Sequence, residues 1–73
     1  MALEIIEVPI AGKITEIKVS VGSRIGEGDV ICILESMKME NPILSPVSGT
    51  VKEIQVSPAQ VVKAGEVIAV IEY

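Results

Sequence analysis

One lysine stands apart from the other charged residues of this chain. In Glu35-Ser36-Met37-Lys38-Met39-Glu40-Asn41 a single amine lies between two thioethers, with carboxylates on either side, near the middle of 73 residues. A deprotonated amine is a nucleophile, and its acylation gives a stable amide that removes one positive charge. Hairpin tips normally take Gly, Asn or Asp, so two methionines there put apolar, deformable side chains where polar ones are usual. The pattern favours Lys38 as a covalent attachment point, flanked by Met37 and Met39. Glu35, Ser36 and Glu40 are then candidates for recognition by a modifying enzyme or a partner. The competing reading folds the methionines onto the core and leaves Lys38 a solvated charge. The residues alone do not name the attached group.

Other chemistry is largely excluded. The chain has no His and a single Cys, which leaves no material for a disulfide, a Cys/His zinc site, or a Cys-His or Ser-His-Asp catalytic arrangement. Cys32 sits inside Val30-Ile31-Cys32-Ile33-Leu34, where a small buried hydrophobe is expected rather than a reactive thiol. A lone unpaired cysteine fits a reducing cytoplasm. The net charge of −4 offers no basic patch for nucleic acid. No apolar run approaches the roughly 18 residues that span a bilayer, and Met1-Ala2-Leu3-Glu4 lacks the start of a signal peptide. A soluble, monomeric, cytoplasmic domain without metal is expected.

The elements that position Lys38 are strands. The apolar content is aliphatic, with no Phe or Trp and Tyr73 as the one aromatic, and its β-branched Val and Ile favour a pleated surface. Strand-like segments run over Leu3–Val8, from Lys13 onward, and over Val30–Glu35; Ser20–Asp29 is rich in turn residues. The next strand-like apolar residues after Glu35 are Ile43 and Leu44, so the lysine stretch reads as the link of a hairpin. Pro9, Pro42, Pro46 and Pro58 argue against helix.

The chain is also internally duplicated. Residues 9–35 match residues 46–72 without a gap, at an offset of 37: Pro9 with Pro46, Gly12 with Gly49, Glu16-Ile17 with Glu53-Ile54, Gly28 with Gly65, Val30-Ile31 with Val67-Ile68, and Glu35 with Glu72. Neither half can cover its own apolar face, so the two must interlock about a pseudo-twofold axis as one domain spanning 1–73. About eight short strands in two antiparallel sheets, packed as a sandwich or flattened barrel, are expected. On the central strands Val30, Cys32 and Leu34, and with them Val67, Ala69 and Ile71, are expected to point inward. The offset maps the lysine turn onto the gap between the chain ends. Those ends should therefore be neighbours, with the turn at the far end of the molecule.

Met37-Lys38-Met39 within Glu-Ser-Met-Lys-Met-Glu, together with Pro46, Gly49 and Gly65-Glu66-Val67-Ile68, resembles the biotinyl domain of biotin-dependent carboxylases over essentially the whole chain. Ser36 stands where that family usually has alanine. The resemblance implies an all-β barrel-sandwich hybrid of two four-stranded sheets, with the lysine on a hairpin. The absence of an insertion in the first half implies no thumb loop. It further implies biotin as the cofactor, joined to Lys38 by a biotin protein ligase that supplies the deprotonation. The domain would then be a non-catalytic carrier moving a carboxyl group from a biotin carboxylase to a carboxyltransferase acting on an acyl-CoA or keto acid. A similar fold serves lipoyl carriers of 2-oxo acid dehydrogenase or glycine cleavage systems, and unmodified adaptor barrels; Met37 and Met39 distinguish this chain from the Asp-Lys-Ala pattern usual for lipoyl attachment. Such a domain is expected either free-standing or cut from the end of a longer chain.

Overall fold

The computed structural model describes residues 1–73, and every regular element in it is a strand. In chain order these are β1 (Leu3–Glu7), β2 (Gly12–Ile17), β3 (Arg24–Ile25), β4 (Val30–Ser36), β5 (Met39–Leu44), β6 (Gly49–Ile54), β7 (Val61–Val62) and β8 (Val67–Glu72). They form two four-stranded antiparallel sheets, ordered β1-β8-β6-β3 and β5-β4-β2-β7. The expected all-β sandwich is the observed one. Two-residue β3, inside the turn-rich Ser20–Asp29, and its counterpart β7 complete the sheets.

The duplication appears in the hydrogen-bond register as well as in the sequence. Ile14 pairs with Leu34 and Ile17 with Cys32; Val51 pairs with Ile71 and Ile54 with Ala69. Each of these pairs becomes its counterpart on adding 37. The connections repeat as well. Gly28 N–H donates to the Ser45 carbonyl and Gly65 N–H to the Val8 carbonyl, both at 2.8 Å. Each sheet takes strands from both halves, so neither half has a core of its own.

Two glycines set how closely the strands approach. A Cβ on Gly12 would collide with the Glu35 carbonyl, and one on Gly49 with the equivalent Glu72 carbonyl. This is why the match at Pro9–Gly12 and Pro46–Gly49 ends in glycine in both halves. The first of these sites lies at the base of the lysine hairpin.

The core is one aliphatic cluster between the sheets, built on Ile14, Ile31, Cys32, Leu34, Val51, Val62, Ile68, Ala69 and Ile71. Its composition corrects the expected facing of the central strands. Cys32, Leu34, Ala69 and Ile71 are buried as expected, but Val30 and Val67 are only half-buried, and Ile31 and Ile68 are buried in their place. The cause is a pair of equivalent bulges. The register of β4 against β5 skips Ile31, and that of β8 against β1 skips Ile68. An extra residue in one strand reverses the alternation on one side of it, so two neighbours can both face the core.

Burial pushes the Cys32 thiol from its ordinary 9.0 up to about 11. Below pH 9 the thiol is protonated whether the chain is folded or not. As pH rises toward 11, the unfolded chain releases a proton that the folded chain retains, so the stabilisation is lost. Urea unfolding at pH 8 and pH 11 should show the wild type losing about 2 kcal/mol more than Cys32→Ala across that window. Equal losses would place the thiol in water.

Dyad-related positions Gly22 and Ala59 both have positive φ, +93° and +70°. Only the second carries a Cβ penalty there, of about 1–2 kcal/mol, partly offset by the lower entropy of an unfolded chain with Ala. Gly22→Ala should therefore cost about 1 kcal/mol, whereas Ala59→Gly should be neutral or stabilise by up to that amount. Chemical denaturation of the two variants reads this directly; shifts of the same sign would contradict the left-handed geometry.

Candidate functional site

Strands β4 and β5 meet in a two-residue turn with Lys38 in it. Ser36 pairs with Met39 across the hairpin, leaving Met37 and Lys38 as the connection. Their φ values are +53° and +65°. Two successive positive φ values are the signature of a type I′ turn, whose hand matches the twist of the flanking strands. The link is much shorter than the interval from Glu35 to Ile43 suggested, because β5 already begins at Met39. It can do so despite Pro42, because β5 is an edge strand and one side of it needs no donor.

The hairpin base is held at three points. Ser36 is 9% exposed and its hydroxyl donates to the Ala11 carbonyl at 2.9 Å. The Asn41 side-chain amide donates to the Met39 carbonyl at 3.2 Å and to the Leu34 carbonyl at 3.5 Å. Gly12 lies directly against the Glu35 carbonyl. Ser36 thus faces inward and anchors the turn to the connection between β1 and β2. Asn41 is a positioning residue that the motif itself did not mark; its signal is a side-chain amide beside a tight turn, where such groups cap free carbonyls.

Beyond that base nothing is packed. Met37 is 86% exposed and Met39 67%, so the methionines do not fold back onto the core. The Lys38 side chain is exposed, and the two ion pairs of the molecule, Lys18 with Glu16 and Lys52 with Glu72, do not involve it. Glu35 and Glu40 lie directly opposite one another across the hairpin, and Lys13 adjoins Glu35 on the other side. All three are exposed. They make one row on the outer face of the sheet, with the like charges of Glu35 and Glu40 side by side at some cost in stability.

The turn and the chain ends lie at opposite poles. Ala2 and Tyr73 exchange backbone hydrogen bonds of 2.8 and 2.9 Å, the same pairing that Ser36 and Met39 make by register. Near those ends Ser48 shares an open recess with Met1 and Tyr73, and its hydroxyl accepts from Glu27 N–H at 2.9 Å. From there β4 runs seven residues, about 20 Å at roughly 3.3 Å per residue, out to the turn. The molecule is 36 Å long and 18 by 17 Å across. A domain tethered by either end therefore presents Lys38 at the greatest distance from its tether.

Chemically, the arrangement is an amine on a short mount, outside both ion pairs and away from the recess at the chain ends. It can be acylated by an enzyme that brings its own base, and an attached group would be free to extend away from the protein.

The sequence matches the family described as "Biotin-requiring enzyme" over residues 4–71. A curated relative, the biotinylated protein TB7.3 homolog of Mycobacterium leprae, is 48% identical over 42 residues, covering 58% of this chain and 59% of the relative. Among solved structures, the urea carboxylase of Kluyveromyces lactis superposes with a TM-score of 0.91 at 29% identity, over 99% of this chain and 6% of that one. A single-chain, multi-domain long-chain acyl-CoA carboxylase superposes with a TM-score of 0.88 at 26% identity, over 93% of this chain and 7% of that one. The chain thus spans about 59% of the curated relative's length and a small part of each carboxylase.

Proposed function

The chain belongs to the biotin-requiring enzyme family, matched over residues 4–71, and on that premise we propose that it is a biotin carboxyl carrier with Lys38 as its attachment site. The observation that carries this reading is the Lys38 turn: an exposed, unpaired amine between exposed methionines, at the pole opposite the chain ends. An amide-linked cofactor fits there, because neither side chain nor strand closes over the amine. Biotin, when attached, supplies a ureido nitrogen that can carry a carboxyl group.

The role of this chain's own residues is placement. The positive φ values at Met37 and Lys38 turn the amine outward, and Ser36, Asn41 and Gly12 keep the base of the hairpin from moving with it. Met37 and Met39 present apolar surface for a biotin protein ligase to read. Glu35 and Glu40 mark the adjoining face for a carboxylase partner. On this reading the domain is a carrier, and the bond chemistry belongs to a biotin carboxylase and a carboxyltransferase. Its contribution is effective concentration, since tethering makes each delivery quasi-intramolecular. The single unpaired cysteine supports a reducing, cytoplasmic setting.

Transfer of labelled carboxyl from bicarbonate tests the reading. With biotin, ATP, a biotin protein ligase and a biotin carboxylase, label should accumulate on the wild-type domain in acid-labile form. Biotinylated domain that takes no label from any biotin carboxylase offered would count against the carrier role.

A further inference from the structure

Sulfur that can react with an oxidant is concentrated beside the proposed acceptor lysine. The chain has three methionines and one cysteine, and no tryptophan. Cys32 is fully buried in the aliphatic core, and the thiolate that would react is disfavoured there. The thioethers are all in solvent: Met37 and Met39 as described, and Met1 at the end of the chain. Neither Met37 nor Met39 belongs to the hydrophobic core or packs against it, so a change in their polarity leaves the fold alone. Any surface that reads these two side chains would register it at once.

We propose that Met37 and Met39 form a peroxide-sensitive gate on the acceptor turn: oxidation of either thioether to its sulfoxide blocks attachment at Lys38 without unfolding the domain. This rests on the biotin-acceptor reading above. The oxidant is a hydroperoxide. A sulfur lone pair attacks the distal peroxide oxygen, the O–O bond breaks and an S–O bond forms. With hydrogen peroxide the departing hydroxide takes up a proton and leaves as water; sulfur loses two electrons and the peroxide gains them. Two thiols reverse the step through a reductase, leaving a disulfide and water. The sulfoxide replaces a deformable apolar group with a strong dipole, so a ligase pocket shaped for methionine would have to bury an unpaired oxygen beside the reacting amine.

Partial oxidation provides the test. The unmodified domain is treated with hydrogen peroxide until about half of its exposed methionine is oxidised, then offered to a biotin protein ligase with biotin and ATP at limiting time. Peptide mass mapping reads the sulfoxide fraction at each methionine in biotinylated and unbiotinylated product. Sulfoxide at Met37 and Met39 should be depleted about tenfold or more in the biotinylated fraction, the scale of losing one well-buried apolar side chain. Sulfoxide at Met1 should be equally distributed. Methionine sulfoxide reductase should restore the rate, and the melting temperature should be the same before and after oxidation. Equal sulfoxide fractions at Met37 and Met39 in both products would overturn the gate alone. An untreated domain that takes no biotin would overturn the acceptor reading and the gate with it.

Discussion

Replacing Leu34 with alanine is expected to cost about 2–5 kcal/mol, and in a domain of this size to lower the melting temperature by about 10–30 °C. Leu34 is completely buried, opposite Ile14 on one side and Asn41 on the other. The core has no aromatic residue to move into the space, so a cavity is left with little to fill it. For a small domain near the lower end of the usual range of about 5–15 kcal/mol, that is a large share of the total. Thermal melting followed by circular dichroism reads it. Lys38→Arg, four residues further along the same hairpin, is the control and should melt like the wild type. Equal melting of the two variants would contradict the division between packed base and free tip.

The largest effect at the turn itself joins a gain to a loss. Met37 and Lys38 both occupy left-handed backbone conformations, which cost a residue with a Cβ about 1–2 kcal/mol each. Asn-Gly is the sequence such a turn favours. Met37→Asn with Lys38→Gly should therefore stabilise the fold by about 1–3 kcal/mol while abolishing acceptance of biotin altogether. On the proposed reading, the native sequence keeps a strained turn because it presents the acceptor amine and the thioethers beside it, a trade commonly met at functional sites. Urea titration of the double variant beside the wild type measures the gain. A double variant no more stable than the wild type would show that the turn holds no such strain.

The symmetric part of this fold was readable from the residues, because one offset relates both halves and a closed dyad structure has few ways to satisfy it. The offset led to interlocked sheets, adjacent chain ends and a distant lysine turn. What it could not reveal was anything the halves share without a visible signal. The bulges at Ile31 and Ile68 lie in runs where every residue is apolar, so there was no alternation whose reversal could be seen. The two-residue turn was concealed because Met-Lys carries none of the Asn or Gly that marks a type I′ turn, and Pro42 made early β5 look like loop. The burial of Ser36 was hidden for a similar reason: a serine beside a tip reads as exposed until Ala11, from a distant connection, is seen beneath it.

The dyad also explains how one chain carries a single site on a duplicated scaffold. At the pole equivalent to Met37 and Lys38 the strands end at Ala2 and Tyr73 instead of turning. One pole holds the chain ends and the other the amine, the separation that the proposed carrier would use to reach two partners in succession.

The most direct measurement is the intact mass of the protein purified from its native host, beside that of Lys38→Arg expressed in the same cells. A single biotinyl increment on the wild type, absent from the variant, is the expected result. A lipoyl increment, no increment, or a biotinyl increment that survives the substitution would contradict attachment of biotin at Lys38.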